Sequence, residues 1–262
     1  MSRWDAQDCH AHSEAQLVWA TELIDRLSLR GDERLLDIGC GDSRATAELA
    51  RRLPRGSVVG LDNSEDLVEF AQGRFASLEF PSLSFRLGDA RQLPFSEELD
   101  IVFSSATLHW IVDHRPALAG IAKALRPNGR VLLQMGGKGN AAGIIKAVRG
   151  LTAELQWANH VAGFEFPYGF HGVTEYREWL VAAGLTPVRV ELIPKDMVKE
   201  TEADLAGWGR TTWMPYTHRV PEDLREEFIR RLVSRYVAAH PPTPDGWIHV
   251  AMVRLEVEAV RQ

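Results

Sequence analysis

The stretch Arg34-Leu35-Leu36-Asp37-Ile38-Gly39-Cys40-Gly41 decides how the rest of this 262-residue chain is interpreted. Its apolar residues form a run short enough for a buried strand, and Gly39 and Gly41 end that run in a tight turn. Behind the turn, residues 45–53 have apolar side chains at helical spacing until Pro54 stops them. A short strand, a glycine turn and a helix are typical of the first unit of a parallel α/β sheet.

The same alternation of strands and helices continues downstream. Further strand candidates lie at residues 57–61, 83–87, 99–103 and 130–135. Helical patterns begin at Ser64, as an N-cap, and at Pro116. Short buried strands that alternate with helices predict a doubly wound, Rossmann-like sheet that is mostly parallel and covered on both faces.

The later part of the chain predicts two more strands, 187–193 and 247–257, which could pair antiparallel. The helical stretch between them is interpreted as a cap over one end of the sheet. Near the start, the capping-box pattern Ser13-Glu14-Ala15-Gln16 precedes an amphipathic helix. The expected organisation is an N-terminal helical segment over residues 1–30, an α/β core over 31–195 and 247–262, and a helical cap insert over 196–246.

Composition narrows the classes of partner and compartment. Lys and Arg number 30 against 36 Asp and Glu, a net charge of −6, which offers no excess for the basic face that nucleic acid requires. Cys9 and Cys40 cannot make a disulfide framework, and no apolar run approaches the ~18 residues of a membrane span. The N-terminus also lacks the apolar segment of a signal peptide. We therefore expect a cytoplasmic protein with a small-molecule substrate and no nucleic-acid or membrane partner.

Acidic residues at the ends of successive strands form the candidate ligand site. Ligands of doubly wound sheets bind outside the carboxyl ends of the strands, where this sequence places Asp37, Asp62 and Asp89. Carboxylates accept hydrogen bonds from hydroxyls and amines, and their charge favours a cationic ligand over a pyrophosphate. The neighbouring strand-end residues that complete the candidate site are Gly39, Cys40, Gly41, Asn63, Ala90 and Ser105.

The glycine spacing weakens one alternative, a nicotinamide-dependent reductase. The dinucleotide fingerprint G-x-G-x-x-G needs a third glycine where Arg44 stands, after Gly39 and Gly41. Asp62 is well placed for a ribose diol under either interpretation, so it does not discriminate between them.

Four motifs in order resemble the class I S-adenosylmethionine-dependent methyltransferases over residues 31–135. The motifs are Asp37-Ile38-Gly39-Cys40-Gly41, Gly60-Leu61-Asp62, Gly88-Asp89-Ala90 and Leu125-Arg126-Pro127-Asn128-Gly129. The resemblance implies S-adenosyl-L-methionine as cofactor, with Asp37 at its amino group, Asp62 at the ribose and Asp89 at the adenine. It also implies a seven-stranded sheet with one antiparallel strand. The family often has a third glycine where Ser43 stands.

The N-terminal pattern Trp4-Asp5…Ser13-x-x-Gln16 and the insert are similar to the small-molecule branch of that family, which includes trans-aconitate methyltransferases. This similarity implies that Trp4, His12 and Gln16 close over the cofactor while the cap shapes the substrate pocket. The expected reaction is methyl transfer to a small acceptor, with a carboxylate oxygen slightly favoured over a hydroxyl oxygen or carbon. A non-catalytic protein that binds an S-adenosyl ligand is the other alternative.

Residues after the fourth strand supply candidates for acceptor chemistry. His109 is the candidate general base for an acceptor that needs one, and Trp110 is a candidate wall of the pocket. In the insert, Trp213 and Tyr216 are candidate substrate-pocket residues.

Two further sets of polar residues are candidates for substrate or metal binding, and each also has a more ordinary explanation. The insert's charged residues Arg210, His218 and Arg219 could bind a substrate carboxylate, although solvated surface charge is the commoner explanation. Cys9-His10-Ala11-His12 is not expected to hold a metal, because a structural zinc site needs about four ligands and no second cluster is evident.

Overall fold

The computed structural model describes residues 14–75 and 80–262. The strands are β1 Arg34–Ile38, β2 Ser57–Asp62, β3 Leu83–Leu87, β4 Leu99–Ser105, β5 Leu125–Gly136, β6 Leu185–Lys199 and β7 Ile248–Arg261. The helices are α1 Glu14–Ile24, α2 Arg44–Arg52, α3 Glu65–Arg74, α4 Arg115–Ala124, α5 Ala142–Thr152, α6 Leu155–Ala158, α7 Val173–Ala182, α8 Glu202–Thr212, α9 Met214–Thr217 and α10 Arg225–Ala239. Short 3₁₀ turns lie at Leu108–Trp110 and Glu222–Leu224.

The strands form one seven-stranded sheet in the order β3-β2-β1-β4-β5-β7-β6. The first five strands in chain order pair parallel, and β7 runs antiparallel to both of its neighbours. The chain winds outward from β1 to β3 and then returns to place β4 on the other side of β1. The predicted doubly wound sheet with one antiparallel strand is confirmed, and its switch point lies between β1 and β4.

Alternate residues of the strands pack against helices on opposite faces of the sheet. Leu36 on β1 belongs to a buried cluster that includes Leu118 of α4 and Leu180 of α7. Leu35, the next residue along, belongs to a cluster that includes Leu49 of α2 and residues of α1 and α3. Four of the five β1 residues are buried, which is why this strand reads as an almost continuous apolar run.

Several elements differ from their predicted boundaries. The last two strands are longer than the predicted 187–193 and 247–257, since β6 spans Leu185–Lys199 and β7 ends at Arg261. The fifth strand begins at Leu125 rather than Arg130, and Asn128 within it adopts a left-handed backbone at φ 66°. Helices α5 and α6 are separate because Glu154 between them adopts an extended backbone conformation (ψ 140°) that cannot continue a helix. The predicted N-cap of α3 is present, since Ser64 Oγ accepts a hydrogen bond from the Leu67 backbone N–H at 3.4 Å.

The insert between β6 and β7 has its own buried cluster. Its two ends meet, because Lys199 at the end of β6 pairs with Ile248 at the start of β7. Phe228 of α10 packs edge-on against Trp157 of α6, at 5.2 Å between ring centroids, and both are fully buried. This third cluster also contains Trp208 and other residues from α5 and the insert, so it extends the molecule beyond the carboxyl edge of the sheet. Within the described residues, no helix has both the length and the apolar composition needed to cross a membrane.

Candidate functional site

A cavity of about 830 Å³ opens at the carboxyl ends of the strands, next to the switch point. This volume lies in the upper part of the roughly 300–1,000 Å³ that ligand pockets occupy. Asp37, Asp62 and Asp89 all line it, so the three predicted carboxylates share one cavity. The other predicted residues that line it are Gln16, Gly39, Cys40, Gly41, Asn63, Ala90, Ser105, His109, Trp110 and Trp213.

The β1–α2 loop owes its shape to three residues in the left-handed region. Gly39, Gly41 and Ser43 have φ values of 74°, 53° and 63°. A Cβ on Gly39 would lie 2.0 Å from Thr107 Cγ2, whereas a Cβ on Gly41 would meet nothing within 4 Å. Ser43, which stands where the family often has a third glycine, therefore holds a left-handed backbone at the roughly 1–2 kcal/mol that a side chain costs there.

Asp62 fixes the loop to the end of β2. Its Oδ2 accepts a hydrogen bond from the Gly41 N–H and its Oδ1 accepts one from the Ser64 N–H, each at 3.0 Å. The carboxylate is buried, and burial raises its pKa. The same side chain thus shapes the glycine turn and presents negative charge to the cavity.

Asp37 is the most deeply buried of the three carboxylates, at 2% exposure. Thr46 Oγ1 donates a hydrogen bond to its Oδ2 at 2.7 Å. Burial is the main reason that the pKa of Asp37 is raised to about 7; the nearby charge of Asp62 also raises it, and the Thr46 hydrogen bond opposes both effects. In the described part of the chain, neither Asp37 nor Asp62 has an ion-paired Lys or Arg, so the pair favours a cationic ligand with amine and hydroxyl donors.

Asp89 lies in a more open environment at the same rim. The Arg91 guanidinium hydrogen-bonds its carboxylate from Nε at 2.9 and 3.1 Å, which lowers the pKa of Asp89. Its neighbour Ala90 is buried, and Asn63 at the end of β2 is exposed. Asp89 is therefore ionised and already held in place before any ligand arrives.

Besides the N–H groups Trp213 Nε1 and Arg254 Nε, two side-chain oxygens at the cavity are buried without a hydrogen-bond partner among the described residues. These atoms are Gln16 Oε1 on α1 and Ser105 Oγ at the end of β4. Buried polar atoms are rarely left unsatisfied, so both indicate a site completed by a ligand. Cys40 in the same loop is buried, and burial raises the pKa of its thiol, which fits the small buried residue expected there. Trp4 and His12, with the Cys9-His10-Ala11-His12 stretch, lie outside the described residues.

His109 lies deep in the cavity and is held by the backbone around it. Its Nδ1 accepts a hydrogen bond from the Gly136 N–H at 3.4 Å, which leaves the ring proton on Nε2. Burial, and then the positive charge of Arg254, lowers the pKa of His109 to about 3. The imidazole is therefore neutral at physiological pH, and a group with so low a pKa is a weak general base.

Aromatic side chains surround the part of the cavity beyond His109. This aromatic chamber is formed by Trp110, Tyr168, Phe170, Trp208 and Trp213. Tyr168 lies at its centre, stacked on Phe170 at 5.3 Å between centroids, with Trp213 at 5.5 Å. The predicted residue Tyr216 is not among the residues that line the cavity; it packs behind Trp213 and against Phe164.

Sequence reasoning missed one cation that lines this cavity, Arg254 on β7. Its side chain is 4% exposed, lines the cavity and stacks over Trp19 of α1 at 4.4 Å. Its Nε has no hydrogen-bond partner, and the described residues include no carboxylate paired with it. The available signal was the period of two in β7, where Val250, Met252 and Arg254 all fall on buried positions.

The candidate cations of the insert lie elsewhere. Arg210 forms a bidentate ion pair with Glu226 at 2.7 and 2.8 Å on the surface. Arg219 stacks over Phe164 at 4.4 Å, and it borders a separate depression together with His218. Among the described residues, no group of three or more His, Cys, Asp or Glu side chains is placed to hold a metal ion.

Comparison with known proteins gives consistent matches. A family model described as a methyltransferase domain matches residues 29–184. A trans-aconitate 2-methyltransferase of Methylobacterium nodulans is 26% identical, with 100% of this chain and 99% of that protein covered. Another of Mycolicibacterium gilvum is 30% identical over 86% of each chain. The crystal structure of the Bacillus subtilis YcgJ protein has a TM-score of 0.64 at 19% identity, covering 93% of this chain and 97% of that one, which supports the fold alone.

Proposed function

The chain belongs to the class I S-adenosylmethionine-dependent methyltransferases, and from that membership we propose that it methylates a carboxylate oxygen of a small organic acid. Its cofactor is S-adenosyl-L-methionine, which sets aside the nicotinamide-dependent reductase. The match to a methyltransferase domain and to curated methyltransferases sets aside the non-catalytic binding protein. The carboxylate acceptor is supported by one observation above all: the guanidinium of Arg254 is buried at the cavity and has no carboxylate partner among the described residues.

The residues of the strand ends fit this cofactor. Asp37 and Asp62 are buried carboxylates without a cationic side chain among the described residues, which suits a ligand that carries an ammonium, ribose hydroxyls and a sulfonium. Gln16 and Ser105 have buried oxygens still to be satisfied. We assign Asp37 to the amino group, Asp62 to the ribose and Asp89 with Ala90 to the adenine, as the family resemblance implies.

Arg254 supplies the argument for an anionic acceptor. A buried cation is costly unless an anion or good hydrogen bonds compensate it, and among the described residues Arg254 stacks on the Trp19 ring instead. Burial lowers the pKa of Arg254 to about 10, so the guanidinium remains charged at neutral pH. A guanidinium presents paired N–H donors that match a carboxylate, so an acid in this cavity would restore the missing compensation.

The acid-base properties of the site agree with this acceptor. When bound, the cofactor supplies an electrophilic methyl group on a positively charged sulfur. A carboxylic acid with an ordinary pKa near ~4 is already ionised at neutral pH and needs no general base. His109, with its pKa lowered to about 3, is suited to lining the site as a neutral imidazole. The remaining work of the protein is to orient the acceptor and exclude water.

We also propose roles for the segments around the core. Residues 196–246 act as the cap, because Trp208 and Trp213 from this insert line the aromatic chamber. Tyr216 supports Trp213 from behind. Residues 1–30 cover the cofactor, which is supported by Gln16 and Leu17 of α1 lining the cavity.

Transfer of a labelled methyl group to a panel of acids, alcohols and activated carbon acids tests the proposed acceptor. We expect acids to be labelled, and Arg254→Met to raise the acceptor KM at least about tenfold while cofactor affinity, measured by calorimetry, stays close to wild type. Arg210→Met is the matched control, because Arg210 is exposed and paired with Glu226, and it should retain activity. Labelling of alcohols or carbon alone, or an unchanged KM in Arg254→Met, would contradict the proposal.

A further inference from the structure

The cavity contains few charges that could compensate an acidic acceptor. Of its described lining residues, two are arginines, Arg91 and Arg254. Arg91 lies at the adenine end and is already engaged by Asp89. His109 is neutral, because burial and the charge of Arg254 lower its pKa to about 3. One cation therefore faces the acceptor from the described part of the chain.

The polar side chains of the chamber are largely committed to the backbone. Tyr168 OH donates a hydrogen bond to the Thr212 carbonyl at 2.6 Å, and Thr211 Oγ1 donates one to the Trp208 carbonyl at 3.1 Å. Asn140 Oδ1 accepts a hydrogen bond from the Val253 N–H at 3.0 Å. Among the described residues, the indole N–H of Trp213 is a buried donor without a hydrogen-bond partner, and the rest of the chamber offers aromatic ring surface to the body of an acceptor.

We propose that the preferred acceptor is a monocarboxylic acid with an aromatic or alkenyl body, and that the enzyme discriminates against polycarboxylic acids. Arg254 pairs with the single carboxylate, and the aromatic chamber encloses the apolar remainder. A second or third carboxylate would be buried against rings without a compensating cation among the described residues, which disfavours its binding. This inference rests on the proposed carboxylate methylation and narrows its substrate class.

The reaction balances without a proton transfer. One oxygen of the carboxylate forms a bond to the methyl carbon as the bond from that carbon to sulfur breaks, and the bonding electron pair remains with sulfur. The products are a neutral methyl ester and the neutral thioether form of the cofactor. Because the ester has no charge, its pairing with Arg254 weakens, which favours release of the product.

A graded set of acids tests the inference on the full-length enzyme. Cinnamate and trans-2-octenoate carry one carboxylate, fumarate carries two and trans-aconitate carries three. We expect kcat/KM to fall on the order of tenfold or more for each added carboxylate. Quenching of tryptophan fluorescence, with the thioether product of the cofactor present, should give the same ranking of Kd because Trp110, Trp208 and Trp213 line the chamber.

A paired substitution distinguishes charge from shape. Thr211→Arg adds a second cation to the chamber wall, and it should raise the trans-aconitate to cinnamate ratio of kcat/KM on the order of tenfold or more. Thr211→Val changes the same position without charge and should keep the wild-type order of acids. Cofactor affinity, measured by calorimetry, checks that both variants are folded.

The possible outcomes separate the two proposals. Preference for fumarate or trans-aconitate, or equal use of all four acids, overturns the monocarboxylate inference and leaves carboxylate methylation standing. Failure of every acid to bind or to be methylated, while alcohols or carbon acids are, overturns the proposed function itself.

Discussion

Asp37 has an unusual position among the site residues, because its protonation changes near neutral pH. Its pKa, raised by burial to about 7, lies well above the value of ~4 expected in the unfolded chain. Between these values the folded protein binds more protons than the unfolded chain does. Its contribution to stability is therefore fully present below pH ~4 and is lost as the pH rises through about 7. The ionised form that costs stability is the form that suits a cationic ligand.

This conflict predicts that cofactor affinity depends on pH. Below pH 7, calorimetric affinity for S-adenosyl-L-methionine should weaken by up to roughly tenfold per pH unit, because Asp37 must first lose its proton. Asp37→Asn should bind weakly at every pH. Thr46→Val removes the hydrogen bond that favours ionisation, so it should move the midpoint to higher pH. An affinity of the wild-type enzyme that stays level from pH 6 to 8 would contradict this role of Asp37.

At the scale of an element, the β1–α2 loop combines backbone strain with close packing. Gly39 and Gly41 both have positive φ, but only Gly39 faces a neighbour, the Thr107 side chain. Thr107 Oγ1 in turn donates a hydrogen bond to the Gly39 carbonyl at 3.0 Å. The loop is therefore packed tightly against Thr107 at Gly39, whereas there is empty space beside the Cα of Gly41.

The two glycines allow matched substitutions. Gly41→Ala should lower the free energy of unfolding by roughly 1–2 kcal/mol, because only the left-handed backbone opposes the new Cβ. Gly39→Ala should cost more and also weaken cofactor binding, since the Cβ would overlap Thr107 and displace the loop. Chemical denaturation of both variants measures the difference. Equal losses would show that the contact with Thr107 is easily relieved.

At the scale of the molecule, two cores supply the two parts of the cavity. The strand ends are supported by the buried clusters on the two faces of the sheet. Trp208 and Trp213 belong instead to the cluster that contains Trp157 and Phe228. A substitution in a cluster of the sheet should therefore affect cofactor binding most. A substitution in the cluster of Trp157 and Phe228 should affect acceptor binding most.

Phe228→Leu tests this division. Loss of the edge-on contact with Trp157 should lower the free energy of unfolding by roughly 1–2 kcal/mol and raise the acceptor KM, while cofactor affinity is retained. Leu49→Val, in the cluster beneath α2, is the converse change and should affect cofactor affinity first. Steady-state kinetics and calorimetry on both variants give the comparison. If each variant lost affinity for the cofactor and for the acceptor to a similar extent, the division between the two cores would be contradicted.

The sequence predicted the position of a site residue when local pattern sets that position, and it did not when residues far apart in the chain create the environment. The shared location of Asp37 and Asp62 at one cavity was predictable, because each lies at or near the end of a strand with a strong local pattern and parallel strands bring their ends together. Arg254 was not, since its environment is created by Trp19 and by residues from distant parts of the chain. The environment of His109 was not predictable for the same reason: a single position in a sequence does not reveal burial deep enough to lower a pKa to about 3.

The place of β7 in the sheet has a consequence for biosynthesis. This strand follows β6 along the chain but lies between β5 and β6, so β6 has no sheet neighbour among the described strands until β7 is made. A nascent polypeptide that has emerged only as far as the insert would already contain Asp37, Asp62 and Asp89, yet it would lack Arg254 and leave an unpaired strand edge exposed. The recognition of an acid that we propose would therefore arise late, when the ribosome has delivered the strand that completes the sheet.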